Sequence, residues 1–425
     1  MNVPKLRFKE FTDEWKQTPL KNIIYSNIIE APKPTTDYIR LGIRSHCKGT
    51  FHELVKIENI LSADKMYIVP KNNLILNITF AWEQAIAITD DNDEGKYISN
   101  RFPTFAFKDN QLPTFYKYII PQKRLKYDLN VASPGGAGRN RVLNKKLFLS
   151  IPVNIPLLKE QEKIAKFLTT VDKKITNLEN IITSLENQKK GLLQQIFSQK
   201  LRFKDKNGNN YPNWEKKKLG DIATLKNGIS KSNEAFGHGK KFINLQDIFN
   251  KSYIFNDNYS LVDVTEKELS ENNLLKGDVL FVRSSVKREG VGLPCVIMEN
   301  LIDTVYSGFI IRCRFNINEN IYLHYKKYCF LEFSFRKALL KKSSSSANTN
   351  INQDNLSKLY VNLPCLEEQT KIADFLSAFD RKLDNQKAQL EHWKQIKNSP
   401  LTFLSRARKV TKELYLPISI FLCQL

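Results

Sequence analysis

The chain has 425 residues, of which 41% are hydrophobic, so it is long enough for two or three domains with buried cores. No apolar run has membrane-spanning length, and the N-terminal MNVPKLRFKEFTDEW lacks the apolar stretch of a secretory signal. With 66 Lys and Arg against 44 Asp and Glu, the formal net charge is +22, which favours a polyanionic partner such as nucleic acid.

The cysteines and histidines give no sign of a disulfide framework or a metal site. The six cysteines lack CxxC spacing, and the five histidines form no cluster with the spacing of metal ligands. These patterns predict a cytoplasmic chain that binds no metal and no membrane. The charge has an alternative origin, a lysine-rich surface produced by an AT-biased genome.

In chain order, the first part of the sequence has the pattern of a mixed α+β domain. It opens with LRFK at residues 6–9, followed by Trp15. The runs DYIRLGI, NNLILNITF and FPTFAF are β-branched or aromatic and are bounded by Gly, Asn, Asp and Pro, which predicts short strands. TFYKYII predicts a helix near the end of this domain.

A long helix is predicted to follow the segment SIPVNIP at residues 150–156. It begins with LLKEQEKIAKFL at residues 157–168, just after Pro156, where a helix can start but cannot continue backwards. Apolar residues then recur with alternating spacings of four and three, typical of a coiled-coil seam, and only Lys189 is out of character. The predicted interface residues are Gln161, Ile164, Leu168, Val171, Ile175, Leu178, Ile182 and Leu185.

The same order of elements returns about 200 residues later, which indicates a duplicated domain. LRFK recurs at residues 201–204, Trp214 matches Trp15, and CLEEQTKIADFL at residues 365–376 matches the helix-opening phrase. KFINLQDI, DVLFVRSS and GFIIRCRF again predict strands. The predicted interface residues of the second helix are Gln369, Ile372, Leu376, Phe379, Leu383 and Leu390. The alternative to a coiled coil is that each helix packs only on its own domain.

Basic and amide side chains that could contact nucleic acid concentrate in four segments. These are YIRLGIRSHCKGTFH and the Gly-rich ASPGGAGRNRVLNKK in the first half, and RSSVKREGVG and KKSSSSANTNINQ in the second. Cations neutralise phosphates, arginine pairs with guanine and asparagine pairs with adenine. Solvated strand ends and a serine linker are the alternatives. The candidate residues are Arg40, Arg44, Lys48, Arg139, Asn140, Arg141, Arg283, Lys287, Arg288, Lys341, Lys342, Ser345, Asn348 and Asn350.

The duplicated plan resembles the specificity subunit of type I restriction–modification systems. Residues 156–168 and 364–376 carry the resemblance, because both have the pattern P-x-L-x-E-Q-x-K-I-A-x-F-L. The heptad helices, the LRFK…W openers and SSSSANTNINQDNLSKLYVNLP at residues 343–364 add to it. The resemblance covers residues 4–397.

The resemblance implies an α+β fold with two tandem target-recognition domains, at residues 1–155 and 201–362. Conserved spacer helices at residues 156–200 and 363–397 would form an antiparallel coiled coil, followed by an atypical tail at 398–425. Each domain would read one half of a gapped site on double-stranded DNA. The helices would dock two methyltransferase subunits and, through them, restriction subunits. Such a subunit has no catalytic residues and binds no cofactor itself; S-adenosylmethionine, ATP and Mg²⁺ belong to its partners.

Two other functions are weighed against this one. A metal-dependent nuclease pairs an acid with E-x-K, and Glu94-Gly95-Lys96 behind Asp90 and Asp91 matches superficially, although the second half has no equivalent. A coiled-coil adaptor without DNA specificity would explain the helices but not two divergent domains between repeated flanks. The sequence contains neither a P-loop nor the N/D-P-P-Y/F motif of adenine methyltransferases.

The end of the second copy departs from the first. The first helix continues as KKGLLQQIF at residues 189–197, whereas the second continues after Lys397 as NSPLTFL. Proline lacks the amide hydrogen of a helical residue and clashes with the preceding turn. Pro400 is therefore predicted to end the second helix.

Overall fold

The computed structural model describes residues 7–59, 65–135, 141–249, 251–345 and 348–404. The chain divides into two compact units, one formed by Met1–Glu179 with Ala388–Leu425 and the other by Asn180–Lys387. Each unit contains a mixed α+β domain and part of both long helices, which confirms the predicted fold class. In these described ranges, no helix is both long enough and apolar enough to cross a membrane.

The first domain consists of short strands in three sheets, together with short helices. Its strands are β1 (Lys16–Pro19), β2 (Ile24–Ser26), β3 (Ile29–Ala31), β4 (Tyr38–Ile43), β5 (Thr50–Val55), β6 (Met66–Ile68), β7 (Leu74–Leu76), β8 (Ile86–Ile88), β9 (Tyr97–Ile98), β10 (Thr104–Phe107) and β11 (Pro152–Ile155). Its helices are α1 (Pro113–Tyr116), α2 (Lys123–Val131) and α3 (Lys145–Ser150), followed by the long α4 (Leu158–Phe197). The sheets have the orders β1-β11, β2-β10-β7-β8 and β3-β6-β9-β4-β5.

The core of the first domain lies where the four-stranded sheet meets the short helices. β7 and β8 are buried along their whole lengths, as expected for continuous apolar runs, and Phe105, Phe115 and Phe148 are fully buried beside them. The Asn144 side chain accepts hydrogen bonds from two backbone amides at the start of α3, so it caps that helix. These contacts fix the segment that leads into α4.

The second domain has its own set of sheets. Its strands are β12 (Glu215–Lys218), β13 (Ala223–Asn227), β14 (Phe236–Ile243), β15 (Tyr253–Ile254), β16 (Ser260–Val262), β17 (Val279–Val282), β18 (Ser284–Ser285), β19 (Pro294–Ile297), β20 (Thr304–Tyr306), β21 (Ile310–Phe315), β22 (Ser344–Ser345), β23 (Thr349–Asn350) and β24 (Tyr360–Leu363). Its helices are α5 (Leu219–Ile222), α6 (Leu245–Ile248), α7 (Glu266–Asn272), α8 (Tyr325–Leu331), α9 (Phe333–Lys342) and α10 (Gln353–Ser357), followed by the long α11 (Leu366–Leu404). The sheets have the orders β12-β24, β13-β21-β17-β19-β15, β16-β14-β20 and β18-β23-β22.

The five-stranded sheet forms the centre of the second domain. β17 and β19 are buried on both faces, and Phe281 packs edge-to-face on Phe330 of α8. Local signals define the helices, since Thr265 forms a capping box with Glu268 at the start of α7. The Glu332 carboxylate caps α9, because it accepts hydrogen bonds from two backbone amides of the first turn of that helix.

Each domain is closed by a two-stranded antiparallel sheet that joins its first strand to its last. In the first domain, β1 pairs with β11 and Lys16 lies opposite Ile155. In the second, β12 pairs with β24 and Glu215 lies opposite Leu363. In both domains the chain therefore leaves beside the point where it entered, immediately before a long helix.

Within each unit the two long helices run antiparallel. In the first unit, Asp172 of α4 pairs with Lys397 of α11 at 2.7 Å, and Glu179 pairs with Lys394 at 3.1 Å. In the second unit, Glu186 pairs with Lys387 at 2.7 Å, and Lys189 pairs with Asp380. In each unit, a higher residue number on α4 pairs with a lower residue number on α11. This order confirms the antiparallel arrangement of the two helices.

The prediction that Pro400 ends the second helix was wrong. Helix α11 continues through this residue to Leu404, beyond the expected end at Lys397. A proline removes one backbone hydrogen bond and can bend a helix without terminating it, provided that neighbouring turns are held elsewhere. Here the preceding turn is held to α4 by the ion pair of Lys397 with Asp172.

Candidate nucleic-acid interface

The opener and the helix-opening phrase of the first copy meet in the folded chain. Glu160 is 1% exposed and accepts two hydrogen bonds from Arg7, from Nε at 2.7 Å and from Nη2 at 2.7 Å. The indole Nε1 of Trp15 also donates to this carboxylate, at 3.2 Å. A buried carboxylate held by a bidentate arginine is fully paired, so the start of α4 is fixed to the start of its domain.

The second copy repeats this buried ion pair. Glu368 is fully buried and accepts from Arg202, from Nε at 3.1 Å and from Nη2 at 2.6 Å. The Trp214 indole donates to the same carboxylate at 2.9 Å. The repeated arginine, tryptophan and glutamate of the sequence thus form one interaction, across 166 positions in the case of Arg202 and Glu368.

The two glutamines of the repeated phrase fasten each helix to its own domain. Gln161 Oε1 accepts from the Leu112 amide at 3.0 Å, and its Nε2 donates to the Pro156 carbonyl at 3.0 Å. Gln369 makes the corresponding bonds, to the Tyr322 amide at 2.8 Å and the Pro364 carbonyl at 2.9 Å. Both side chains are buried and bonded to their own domains. Their predicted place at a subunit or coiled-coil interface stays a prediction.

Most of the apolar residues predicted at the interface are buried or half-buried. Leu168, Val171, Leu178, Ile182, Leu185, Leu383 and Leu390 are buried, and Ile175 and Phe379 are half-buried. Near the helix starts the packing is different. Ile164 packs against the core of the first domain. Ile372 and Leu376 lie in the core of the second domain, together with Ile196 and Phe197 from the end of α4.

A tyrosine in each domain forms a further hydrogen-bonded joint to its helix. Tyr118 donates to Asp172 of α4 at 3.0 Å, and Tyr328 donates to Asp380 of α11 at 2.7 Å. Lys327 adds an ion pair to Asp380 at 2.6 Å. Burial raises the pKa of Asp380, but the Lys327 charge and hydrogen bonds from Lys189, Lys327 and Tyr328 outweigh burial and hold that pKa below its usual range.

Replacing Tyr328 with phenylalanine should lower the free energy of unfolding by about 1.5–3 kcal/mol, because it deletes the hydrogen bond to the charged Asp380 and the contact with Ser377 Oγ. Urea unfolding followed by circular dichroism measures this change. Tyr360→Phe is the matched control, since Tyr360 is 50% exposed. Equal losses in the two variants would contradict a stabilising joint at Asp380.

Part of the predicted DNA-contact set in the first domain is engaged within the protein. Arg40 pairs with Glu53 across the β4–β5 ladder at 2.7 Å, so its charge is compensated. The Arg44 guanidinium donates to the Thr50 carbonyl and lies 5.0 Å from the centroid of the Phe51 ring. Lys48 is exposed in the turn between these strands. The structure therefore leaves Lys48 as the candidate cation of this turn.

Arg141 shapes the neighbouring loop. Its guanidinium stacks over the Trp82 ring at 5.2 Å and donates to the Ser133 and Asn130 carbonyls at 2.9 and 2.7 Å. The β4–β5 turn contacts the same short 3-10 helix, Ala81–Glu83, because the His46 amide donates to the Glu83 carbonyl at 2.7 Å. Two of the predicted segments are thus brought together. The predicted contacts Arg139 and Asn140 lie outside the described residues.

The structure also brings together the two predicted segments of the second domain. β23 pairs on one side with β18 and on the other with β22, so that Asn350 lies opposite both Ser284 and Ser344. The Arg283 side chain is engaged, since Nη1 donates to the Gly308 carbonyl at 2.9 Å. The side-chain Nδ2 of Asn350 donates to the Asn348 backbone carbonyl at 3.0 Å. The Ser345 side chain lies outside the described atoms.

Four cations surround this small sheet. Lys287 and Arg288 follow β18, and Lys341 and Lys342 form the last turn of α9. All four are exposed. The Arg336 side chain donates to the Glu289 carbonyl at 2.9 Å, which links α9 to the segment after β18. We name Lys287, Arg288, Lys341 and Lys342 the cationic rim of the second domain; its charge is suited to phosphate groups.

The candidate surfaces of the two domains share one backbone hydrogen bond. The Leu143 amide donates to the Ile78 carbonyl at 2.9 Å, and the Ile351 amide donates to the Arg283 carbonyl at 3.0 Å. By this hydrogen bond, Ile78 in the first domain corresponds to Arg283 in the second, and the segments around them are residues 77–83 and 282–288. Residues 77–83 are absent from the predicted contact set, although they follow the buried β7 as RSS at residues 283–285 follows the buried β17.

The acidic turn considered for a nuclease forms ion pairs at the surface. Lys71 Nζ lies 3.7 Å from the Asp91 carboxylate and 3.6 Å from the Glu94 carboxylate. Both acidic side chains are at least half exposed. The described residues contain no group of three or more His, Cys, Asp or Glu side chains placed to hold a metal ion.

Comparison with known proteins gives consistent matches over both halves of the chain. A relative from Methanocaldococcus jannaschii, the type I restriction enzyme MjaVIII specificity subunit, is 24% identical over 394 residues, which cover 90% of this chain and 87% of the relative. The crystal structure of a type I restriction–modification S subunit from M. genitalium superposes with a TM-score of 0.55 at 14% identity, covering 96% of this chain and 100% of that chain.

A further structure, from work on complex assembly and conformational transition of the type I R-M system, gives a TM-score of 0.54 at 15% identity, with 94% of this chain and 99% of that chain covered. At these identities the two structures establish similarity of fold. The profile of the type I restriction modification DNA specificity domain matches twice, at residues 17–187 and 211–392. Because these two matches span most of both halves, the chain belongs to the family of type I restriction modification DNA specificity proteins.

Proposed function

We propose that this specificity subunit reads a gapped, two-part site on double-stranded DNA, one part with each domain, and that it has no catalytic residues of its own. The observation that carries the proposal is the backbone hydrogen bond that the two domains have in common. It joins Leu143 to Ile78 in the first domain and Ile351 to Arg283 in the second. The two domains share this bond while the side chains around it differ, as expected for two readers of different sequences.

Direct readout requires donors and acceptors that can reach base edges, and phosphate contacts require cations. The cationic rim of the second domain supplies the phosphate contacts in this proposal. Ser284 precedes the rim residues along the chain, and Asn348 and Asn350 follow them, in or beside the small sheet of β18, β23 and β22. These three side chains supply polar groups for the bases. In the first domain, Lys48 and the aromatic and amide groups of residues 77–82 take these roles.

The long helices are proposed to dock two methyltransferase subunits and, through them, restriction subunits. The duplication of the helix starts supports this number, because Glu160 with Gln161 and Glu368 with Gln369 fix α4 and α11 to their domains by corresponding bonds. S-adenosylmethionine, ATP and Mg²⁺ would bind the partner subunits. At saturation we expect two methyltransferase subunits per chain in native mass spectrometry; a largest species of one to one would contradict two docking faces.

Genome-wide methylation mapping tests the DNA-reading role. The chain is expressed with its methyltransferase subunit in a host that lacks other methylation, and modified bases are located by sequencing. We expect two short specific blocks separated by unread bases. Replacing residues 283–288 and 344–350 with those of a related chain should change one block and leave the other intact. A single continuous site, or a change in both blocks, would contradict the proposal.

A further inference from the structure

The apolar seam of the long helices does not by itself determine which helices pair. Each residue of α4 corresponds to the residue of α11 whose number is 208 higher. Val171 thus corresponds to Phe379 (379 minus 171), and Ile182 corresponds to Leu390. An apolar ridge shared by two helices packs against a second copy of itself about as well as against its counterpart. The choice between α4 with α11 and two copies of α4 must therefore depend on other side chains.

One set of ion pairs follows the same correspondence between α4 and α11. Lys189 pairs with Asp380 in the second unit, and Lys397 pairs with Asp172 in the first. The shift of 208 positions (397 minus 189) converts one pair into the other, so each helix carries both an aspartate and a lysine. These pairs would form equally well between α4 and α11, between two α4 helices or between two α11 helices.

A second set of ion pairs breaks the symmetry. Glu179 pairs with Lys394 at 3.1 Å in the first unit, and Glu186 pairs with Lys387 at 2.7 Å in the second. The shift of 208 positions carries Glu179 onto Lys387 (387 minus 179) and Glu186 onto Lys394. Helix α4 thus supplies both acids and α11 supplies both cations.

This polarity opposes the pairing of like helices. If two copies of α4 paired in the observed register, Glu179 of each would face Glu186 of the other. If two copies of α11 paired, Lys387 would face Lys394. Like charges repel by about as much as the opposite pairs attract. The side chains are 41% to 49% exposed, so each contact is weak alone, but two attractions are lost and two repulsions gained in either like pairing.

We propose that Glu179, Glu186, Lys387 and Lys394 select the pairing of α4 with α11 and disfavour association of two chains through like helices. The partner that fits α4 is an antiparallel helix with lysines at these two places, and α11 of the same chain carries them. The inference concerns the isolated chain and does not depend on the proposed DNA-reading function.

Two charge-neutral double variants of the full chain test the proposal. E186K/K394E places Glu179 against a glutamate and Lys387 against a lysine, while it makes like helices complementary. E186K/K387E has the same composition and also makes like helices complementary, but it keeps both α4–α11 pairs complementary, with one pair reversed. Each variant places its new glutamate one helical turn from Glu391. In E186K/K387E the new glutamate also lies one turn from Asp384, and K394E removes the 4.0 Å pair of Lys394 with Glu391, so local charge effects destabilise α11 in both variants.

At low salt we expect the unfolding equilibrium constant of E186K/K394E to exceed that of E186K/K387E by about three- to tenfold. Urea midpoints measure this difference, which should shrink near 1 M NaCl, where the Debye length is about 3 Å. Sedimentation velocity should show more self-association of E186K/K394E. Equal urea midpoints, or no more self-association than in E186K/K387E, would overturn the proposal.

Discussion

Replacing Glu368 with alanine should lower the free energy of unfolding of the chain by about 3–5 kcal/mol, because it leaves Arg202 without its counter-ion in a mostly buried site. The Trp214 indole loses its acceptor in the same variant. Urea unfolding followed by circular dichroism and by tryptophan fluorescence measures the loss. The fluorescence change should be the more sensitive, since Trp214 contacts the deleted carboxylate.

The neighbouring Glu367 provides the control for this prediction. It is exposed in the first turn of α11, so Glu367→Ala should change the free energy of unfolding by less than about 0.5 kcal/mol. The double variant R202L/E368L removes both charges and should be more stable than Glu368→Ala alone. A loss for Glu368→Ala no larger than that for Glu367→Ala would show that the buried ion pair does not hold α11 to its domain.

Removing the cationic rim of the second domain should weaken binding of the assembled methyltransferase to its DNA site by at least about tenfold at physiological salt. The variant is K287A/R288A/K341A/K342A. The plot of log affinity against log salt should become shallower by about 0.9 for each of these cations that contacts a phosphate. Fluorescence anisotropy with labelled DNA over a range of NaCl concentrations measures both quantities.

A variant with the same change in net charge separates this effect from non-specific attraction. Lys200, Lys206, Lys267 and Lys276 are exposed and lie outside the elements that carry the rim, so their replacement by alanine should leave the salt slope nearly unchanged. Because phosphate contacts carry little sequence information, the rim variant should keep its preference for the same site. Equal slopes in the two variants would remove the rim from the DNA-binding surface.

The sequence was sufficient to predict two α+β domains, each followed by a long helix, because these features are periodic or repeated. It also contained the repeated Arg7, Trp15 and Glu160, but periodicity cannot show that the three side chains meet. Contacts across 153 positions depend on how sheets and helices close. The recurrence of all three residue types in the second copy was the available signal, since independent positions rarely repeat together.

The surroundings of the predicted contact residues could be predicted less well than the fold. Arg40, Arg44, Arg141 and Arg283 all make hydrogen bonds or ion pairs within the domains. Residue type alone does not distinguish an arginine that supports a loop from one that faces a ligand. The sheet that gathers the second domain's segments uses strands of two residues, such as Ser284–Ser285, which are too short to show alternation in the sequence.

The sheets that close each domain have an evolutionary consequence. Because β1 pairs with β11, and β12 with β24, each domain is an insert whose two ends are neighbours. Genetic exchange at the repeated flanks can replace such an insert without moving the helix that follows. One crossover event on each side would give a chain with a new domain and an unaltered scaffold. Under the proposed function, a chain could thereby acquire a new half-site in a single step while both long helices keep their sequences.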